Sequence, residues 1–235
     1  MNRPAWWRDE MRHPGVDYSD PAQVAEYDRR HGQFRDYRKD AEAVVRLLGL
    51  QSDQTVLDMG AGTGAFALHA ASRCRRVIAV DVSEAMFAHC RQKAAERKVE
   101  NIVFRRGGFL TYEHADEPVD AVVSVAVLHH LPDFWKGIGL RRVRGMLKPG
   151  GKFYLFDVVF PGAGADVRAT VEDWVRRVKD AVGPEFAAEA ETHVRDEFST
   201  YDWIMEGLLV RAGFRIDRVD PHGGFGTAYL CLRED

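Results

Sequence analysis

The sequence lacks the features that would place it outside a reducing compartment or inside a membrane. Its three cysteines, at positions 74, 90 and 231, form neither a CxxC pair nor a metal-binding spacing. We therefore expect packing roles for the thiols, no metal site and a cytoplasmic location. Residues 1–12 hold no apolar signal-peptide segment, and no run of 18 apolar residues occurs, which argues against export and against a membrane-spanning helix.

A strong excess of charge of either sign is also missing. The formal net charge is −3 over 235 residues, of which 29% are charged. The basic clusters at 141–144 and 176–179 alternate with acidic and apolar residues at helical spacing, which is typical of solvated helix faces. The charge pattern therefore argues against a nucleic-acid partner and against a membrane partner.

Short apolar runs alternate with stretches of helical spacing from residue 55 onward. Strands are predicted at 55–58, 77–81, 102–105, 119–125 and 152–157, with helices between them, and two late strands at 214–219 and 227–233. This order predicts an α/β fold, with a mostly parallel sheet between two layers of helices and a mixed far edge. Residues 1–40 are predicted to form a helical arm, and residues 41–235 one domain with a helical cap at 161–198.

The most informative segment is VLDMGAGTG at residues 56–64, where a strand enters a glycine loop and a helix leaves it. Glycines let a ligand lie against the backbone, and open α/β sheets bind ligands beyond the carboxyl ends of their strands. The loop also satisfies the dinucleotide pattern G-x-G-x-x-A, and Asp81 could accept ribose hydroxyls in either case. Asp58, just before the first glycine, would repel a pyrophosphate and attract an ammonium group.

Further segments extend this pattern. They are VIAVDVSEAMF (77–87), VDAVVSVAVLHHLPD (119–133), RRVRGMLKPGGKFYLFD (141–157) and LLVRAGF (208–214). With the glycine loop, they make the chain similar to the class I S-adenosylmethionine-dependent methyltransferases over roughly residues 40–235. The resemblance implies a Rossmann-like sheet of seven strands whose last strand is antiparallel. It also implies S-adenosylmethionine as cofactor, and transfer of its methyl group to an oxygen, nitrogen or carbon atom of a small-molecule acceptor.

The resemblance assigns positions along the cofactor. It implies that Asp58 and the loop contact the methionine moiety, that Asp81 holds the ribose, and that the fourth strand ends beneath the sulfonium. The implied cofactor-binding residues are Asp58, Gly60, Ala61, Gly62, Asp81, Val82, Met86, Gly108, Phe109 and Val125. One position departs from the family: many members have an acidic residue where Gly108 stands, and it accepts a hydrogen bond from the adenine amino group. Here that acceptor must come from elsewhere or be absent.

Few residues are candidates for chemistry at the acceptor. Methyl transfer is an in-line displacement, and a general base is needed only if the acceptor must lose a proton. His130 and Tyr18 are predicted to be catalytic, and His129 and Asp157 to face the substrate. The alternative for each histidine is packing, and for Asp157 it is helix capping. The arm to about residue 37 and the helices within 166–197, broken at 183–184, are predicted to close over the cofactor as a lid.

Two other functions fit the glycine loop. An NAD(P)-dependent oxidoreductase would carry a Tyr-x-x-x-Lys or similar motif after the fourth strand, and none is present. A non-catalytic protein could keep the fold and bind the cofactor or another ligand, and Gly108 is the feature that favours it. An NPPY-like tetrapeptide after the fourth strand is also missing, which argues against methylation of nucleic-acid amines.

Overall fold

The computed structural model describes residues 4–12, 15, 24, 27–29, 32, 36–162, 166–222 and 226–235. The strands are β1 (Thr55–Met59), β2 (Arg76–Asp81), β3 (Ile102–Arg106), β4 (Val119–Val125), β5 (Leu147–Phe160), β6 (Thr200–Tyr201), β7 (Phe214–His222) and β8 (Gly226–Arg233). The helices are α1 (Tyr37–Leu48), α2 (Ala65–Ala70), α3 (Glu84–Glu96), α4 (Asp133–Met146), α5 (Val167–Val182), α6 (Pro184–Asp196) and α7 (Asp202–Arg211). A short 3-10 helix at Leu128–His130 follows β4, and residues 24 and 27–29 are also helical.

The strands form one sheet in the order β3-β2-β1-β4-β5-β8-β7, and β6 pairs with the end of β5. Strands β1 to β5 are parallel to one another, whereas β8 is antiparallel to both β5 and β7. The predicted mixed far edge is therefore confirmed. The strand order reverses between β1 and β4, and a crevice is expected beyond the carboxyl ends of strands at such a point.

Two apolar cores lie on opposite faces of the sheet. Successive side chains of a strand point to opposite faces, so Val56 joins the core formed with α1 and α2, while Leu57 joins the core formed with α4 and α7. All five residues of β1 are buried. This explains the apolar strands without alternation, since both faces of the sheet are covered by helices.

Local signals set the ends of two helices. The hydroxyl of Ser83 accepts a hydrogen bond from the amide of Met86 at 3.2 Å, so Ser83 is the N-cap of α3. Gly49 follows α1 in the left-handed conformation, with φ of 65°, and its amide binds carbonyls of the last turn. The predicted boundary between arm and domain at residues 40 and 41 falls within α1.

Two predicted boundaries are wrong. Strand β5 begins at Leu147 and continues past Asp157 to Phe160, where Val159 and Phe160 pair with β6. Thr200 and Tyr201 form β6, and α7 begins directly afterwards at Asp202. The break between α5 and α6 at Gly183-Pro184 is confirmed.

In the part of the chain that the structure covers, no helix combines the length and the apolar character needed to cross a bilayer.

Candidate active site

A cavity of about 1030 Å³ opens at the carboxyl ends of β1, β2 and β4. The arm residues Glu10 and Tyr27 and side chains from α5 and α6 contribute to its walls. Most of the predicted site residues line it together, namely Asp58, Gly60, Ala61, Gly62, Asp81, Val82, Met86, Gly108, Phe109, Val125, His129 and His130. Asp157 is not among its lining residues, and Tyr18 lies outside the described residues.

The glycine loop turns sharply at the start of the cavity. The amides of Gly60 and Ala61 both donate to the carbonyl of Val80, at 2.7 and 2.9 Å, which fastens the loop to β2. Gly60 and Gly62 have φ angles of 80° and 53°, in the left-handed region that favours glycine. A Cβ atom on Gly60 would overlap the side chain of Val127 at 2.3 Å, whereas a Cβ atom on Gly62 would meet nothing within 4 Å. Gly60 is therefore required by packing, and Gly62 leaves open space beside the loop.

Asp58 gives the loop end of the cavity a buried carboxyl group. It is 3% exposed, and its Oδ2 has no hydrogen-bond partner among the residues that the structure describes. Burial, followed by the charge of Asp81, raises the pKa of Asp58 to about 7, and a hydrogen bond from the Ala67 amide acts in the opposite direction. An ammonium group beside Oδ2 would supply the missing partner and favour the ionised form. The geometry thus fits the methionine end of S-adenosylmethionine.

Asp81 closes β2 and orders the loop on both sides of it. Its Oδ2 accepts a hydrogen bond from the amide of Gly62 at 2.7 Å, and its Oδ1 accepts one from the amide of Ser83 at 2.8 Å. An ionised carboxylate has about four acceptor positions, and ribose hydroxyls are donors that such a group can bind. Val82 and Met86 line the cavity on the same side.

A carboxylate that the sequence did not reveal lies against the segment after β3. Glu10 of the arm accepts hydrogen bonds from the Leu110 amide, at 2.9 and 3.0 Å to its two oxygens, and from the Thr111 hydroxyl at 2.5 Å. A Cβ atom built on Gly108 would lie 2.8 Å from Oε2 of Glu10. The arm therefore brings a carboxylate to the place where Gly108 has no side chain. A contact across about 100 positions leaves no local signal in the sequence.

The floor of the cavity is formed where β4 ends. Ala126 has φ of 57°, an uncommon conformation for a residue with a Cβ atom, and its amide donates to the carbonyl of Phe156 at 2.8 Å. This turn leads the chain from Val125 directly into the 3-10 helix that carries the two histidines.

His129 is fixed between two buried carboxylates. Its Nδ1 lies 2.5 Å from Oδ1 of Asp157, and its Nε2 lies 3.4 Å from Oε2 of Glu197. Burial alone would lower the pKa of His129, but the charge and hydrogen bond of Asp157 and the charge of Glu197 raise it above its ordinary value. The two carboxylates therefore favour the protonated form of His129.

The structure corrects the predicted place of Asp157. Because β5 continues for three more residues, Asp157 is fully buried and does not face a substrate. Its Oδ2 accepts a hydrogen bond from the His129 amide at 3.2 Å, so it holds both the backbone and the ring of that residue. Burial would raise the pKa of Asp157, but the charge of His129 and the hydrogen bonds lower it.

Glu197 and His193 complete the cluster from the cap. His193 lies in α6, its Nδ1 contacts Oε2 of Glu197, and its ring centroid lies 4.7 Å from that of His129. Burial would raise the pKa of Glu197, but the hydrogen bond from His193 and the charges of the histidines lower it. The sequence analysis missed both residues, although a histidine and a glutamate four positions apart at the end of a helix were a usable signal.

His130 lies half-buried on the cavity wall, with its ring centroid 4.3 Å from that of His129. Donor atoms of His129, His130 and Glu197 all lie within 4.8 Å of one another, a separation that a metal ion could also bridge. The absence of a metal site stays a prediction.

Comparisons with known proteins agree with this arrangement. A family model described as a methyltransferase domain matches residues 56–151. An uncharacterized methyltransferase of Geobacillus kaustophilus is 29% identical over 182 residues, which cover 77% of this chain and 79% of that protein. The 27-O-demethylrifamycin SV methyltransferase of Amycolatopsis mediterranei is 29% identical over 66% of this chain and 57% of its own. A methyltransferase structure from Aquifex aeolicus, 20% identical, has a TM-score of 0.64 over 91% of this chain and 98% of that one.

Neither alternative function is favoured by these similarities. The relatives are methyltransferases rather than oxidoreductases, and the carboxyl group of Asp58 inside the cavity is unsuited to a pyrophosphate. The chain is similar to the class I S-adenosylmethionine-dependent methyltransferases in sequence and in fold, and it is an enzyme that takes its methyl group from S-adenosylmethionine.

Proposed function

We propose that the enzyme methylates a hydroxyl group of a small, ring-containing molecule, and that His130 receives the hydroxyl proton. The observation that carries the proposal is the position of His130 on the cavity wall, directly after the turn at Ala126 that forms the floor. In the reaction, the acceptor oxygen bonds to the methyl carbon while the carbon–sulfur bond breaks. The bonding electrons return to sulfur as a thioether, and the proton passes to a ring nitrogen of His130.

His130 suits this role better than His129. Both ring nitrogens of His129 face carboxylates, and the resulting charge makes it a poor proton acceptor. Its function is structural: the Asp157–His129–Glu197 contacts fix the 3-10 helix and therefore the position of the neighbouring His130. The predicted role of Tyr18 as a second catalytic group stays a prediction, as does the closing of the arm and cap over the cofactor.

The cavity favours a small molecule. Pockets for small ligands usually measure about 300–1000 Å³, so a volume of about 1030 Å³ leaves room for a cofactor and an acceptor together. The cap contributes Trp174 and Phe186, and β5 contributes Tyr154 and Phe156, so aromatic rings line much of the remaining space. The hydroxyl acceptor is further supported by the similarity to an enzyme named for a 27-O-demethylated rifamycin.

The proposal is tested with a panel of hydroxylated ring compounds, with methylated products detected by mass spectrometry. His130→Ala should lower turnover about 100-fold on a weakly acidic hydroxyl and leave the affinity for S-adenosylhomocysteine unchanged. The matched control is chemical. An acceptor already ionised at the assay pH has no proton to lose, so the same variant should methylate it at nearly the wild-type rate.

Equal loss on both kinds of acceptor would show that His130 shapes the cavity and is not the base. Turnover that a chelator abolishes and a divalent cation restores would assign the histidine cluster to metal binding instead.

A further inference from the structure

The end of the cavity after β3 combines an absent side chain with a carboxylate from a distant segment. Gly108 opens the wall, and Oε2 of Glu10 lies 2.8 Å from the position that a Cβ atom on Gly108 would take. Both residues line the cavity beside Phe109. A side chain at 108 and the carboxylate of Glu10 therefore could not occupy this space together.

We propose that Glu10 is the residue that recognises the amino group of adenine, and so makes the cavity selective for a 6-amino purine. The inference rests on the cofactor binding with its adenine at this end of the cavity. A carboxylate is an acceptor only, so it binds the exocyclic amino group and repels a 6-oxo group, which also presents lone pairs. In this chain the selectivity for adenine therefore comes from the arm and not from the side chain at position 108.

The carboxylate of Glu10 is held in a fixed orientation. The Leu110 amide donates to both oxygens, and the Thr111 hydroxyl, itself an acceptor for the Gly108 amide at 2.9 Å, donates to Oε1. These donors fix the plane of the carboxylate beside Gly108. An acceptor that is already oriented loses little freedom on binding.

The same arm also touches the acceptor end of the cavity. Two residues before Glu10, Arg8 donates to the carbonyl of His130 at 3.3 Å, and its guanidinium lies 4.9 Å from the ring centroid of Phe198. A ligand that holds Glu10 therefore also holds Arg8 against the segment that carries His130. Recognition of adenine and coverage of the acceptor end are two functions of one short segment, residues 4–12.

The test compares two ligands that differ at one position of the purine, S-adenosylhomocysteine and S-inosylhomocysteine, which has a 6-oxo group. Wild-type protein should prefer the adenine ligand by about tenfold or more. Glu10→Ala should remove most of that preference. The matched control is Asp9→Ala, which removes the same charge from an exposed neighbour and should leave the preference intact.

A second substitution tests the role of Glu10 even if Glu10→Ala loosens the arm. Gly108→Asp alone should bind adenine ligand poorly, because its side chain would meet Oε2 of Glu10. In the Glu10→Ala background the same substitution has room, and it should restore the preference for the adenine ligand at least fivefold.

Three outcomes would each contradict a different part of the proposal. Wild-type protein that binds neither ligand would overturn the assignment of this cavity to the cofactor. An adenine preference that is the same in wild type and in Glu10→Ala would overturn the role of Glu10 alone. Equal weakening of both ligands by Glu10→Ala would show that Glu10 only anchors the arm.

Discussion

Cofactor binding should depend on pH through a single carboxyl group, Asp58. Its pKa of about 7 comes first from burial and then from the charge of Asp81. The ammonium group of the methionine moiety binds the ionised form, so binding below pH 7 requires Asp58 to release a proton. The expected sign is clear: affinity is highest above pH 7 and falls as the pH is lowered.

The size of the effect follows from the ionised fraction. For a pKa of about 7, roughly 9% of Asp58 is ionised at pH 6 and roughly 91% at pH 8. If only the ionised form binds, the dissociation constant for S-adenosylhomocysteine should be about tenfold larger at pH 6 than at pH 8. Titration calorimetry in buffers of different ionisation enthalpy should also detect nearly one proton released per ligand at pH 6.

The control is Asp58→Asn, which keeps the shape of the side chain and removes its ionisation. The variant should bind more weakly at pH 8 and show almost no change of affinity between pH 6 and 8. If wild type and variant have the same pH profile, another group is responsible, and Asp58 is not the partner of the ammonium.

Four further substitutions test other parts of the site. Asp81→Ala should weaken cofactor binding by about 2 kcal/mol in calorimetry, and unchanged affinity would place the ribose elsewhere. Both Gly60→Ala and Gly62→Ala strain the backbone by ~1 kcal/mol, but only the Cβ atom of Gly60→Ala meets another side chain. Thermal unfolding should therefore show a clear loss of stability for Gly60→Ala, whereas Gly62→Ala should stay stable and lose cofactor binding. A stable Gly62→Ala variant that binds normally would show that the cofactor does not lie against the glycine loop. Asp157→Asn should reduce the free energy of unfolding most between about pH 4 and 6.5. The contribution of His129 to stability is lost as the pH rises through its raised pKa, and that of Asp157 is lost as the pH falls through its lowered pKa. A loss of stability that urea titrations find independent of pH would mean that the substitution removes packing and not charge.

The sequence predicts the parts of the fold and site that depend on local pattern. Strands β1, β2 and β4 contain short apolar runs, and the loop at Gly60–Gly64 follows directly from its glycines. The residues of this loop and the ends of β2 and β4 meet in one cavity because parallel strands present their carboxyl ends at the same edge of the sheet.

The remaining parts depend on contacts between distant segments. The fifth strand is predicted to begin at residue 152, yet β5 already begins at Leu147. Glu10 meets the segment after β3 across about 100 positions, and Glu197 meets His129 across 68 positions (197 − 129). Neither periodicity nor spacing within one segment can predict such pairs. The sequence misplaces Asp157 because this residue stands at the end of the predicted strand, where its side chain would face the cavity. In the structure β5 continues for three more residues, and Asp157 is buried.

The cluster around His129 has an electrostatic consequence for the cofactor. A protonated His129 near the sulfonium would repel it, and the carboxylates of Asp157 and Glu197 oppose that repulsion. Glu197→Gln removes one carboxylate and keeps the side-chain volume, so S-adenosylmethionine, with its positive sulfur, should lose several-fold more affinity than S-adenosylhomocysteine, whose sulfur is neutral. Asp196→Asn, which removes the same charge from an exposed neighbour, should change neither ligand. A purely structural role for Glu197 would weaken both ligands by the same factor, so an unchanged ratio of the two dissociation constants would refute the electrostatic role.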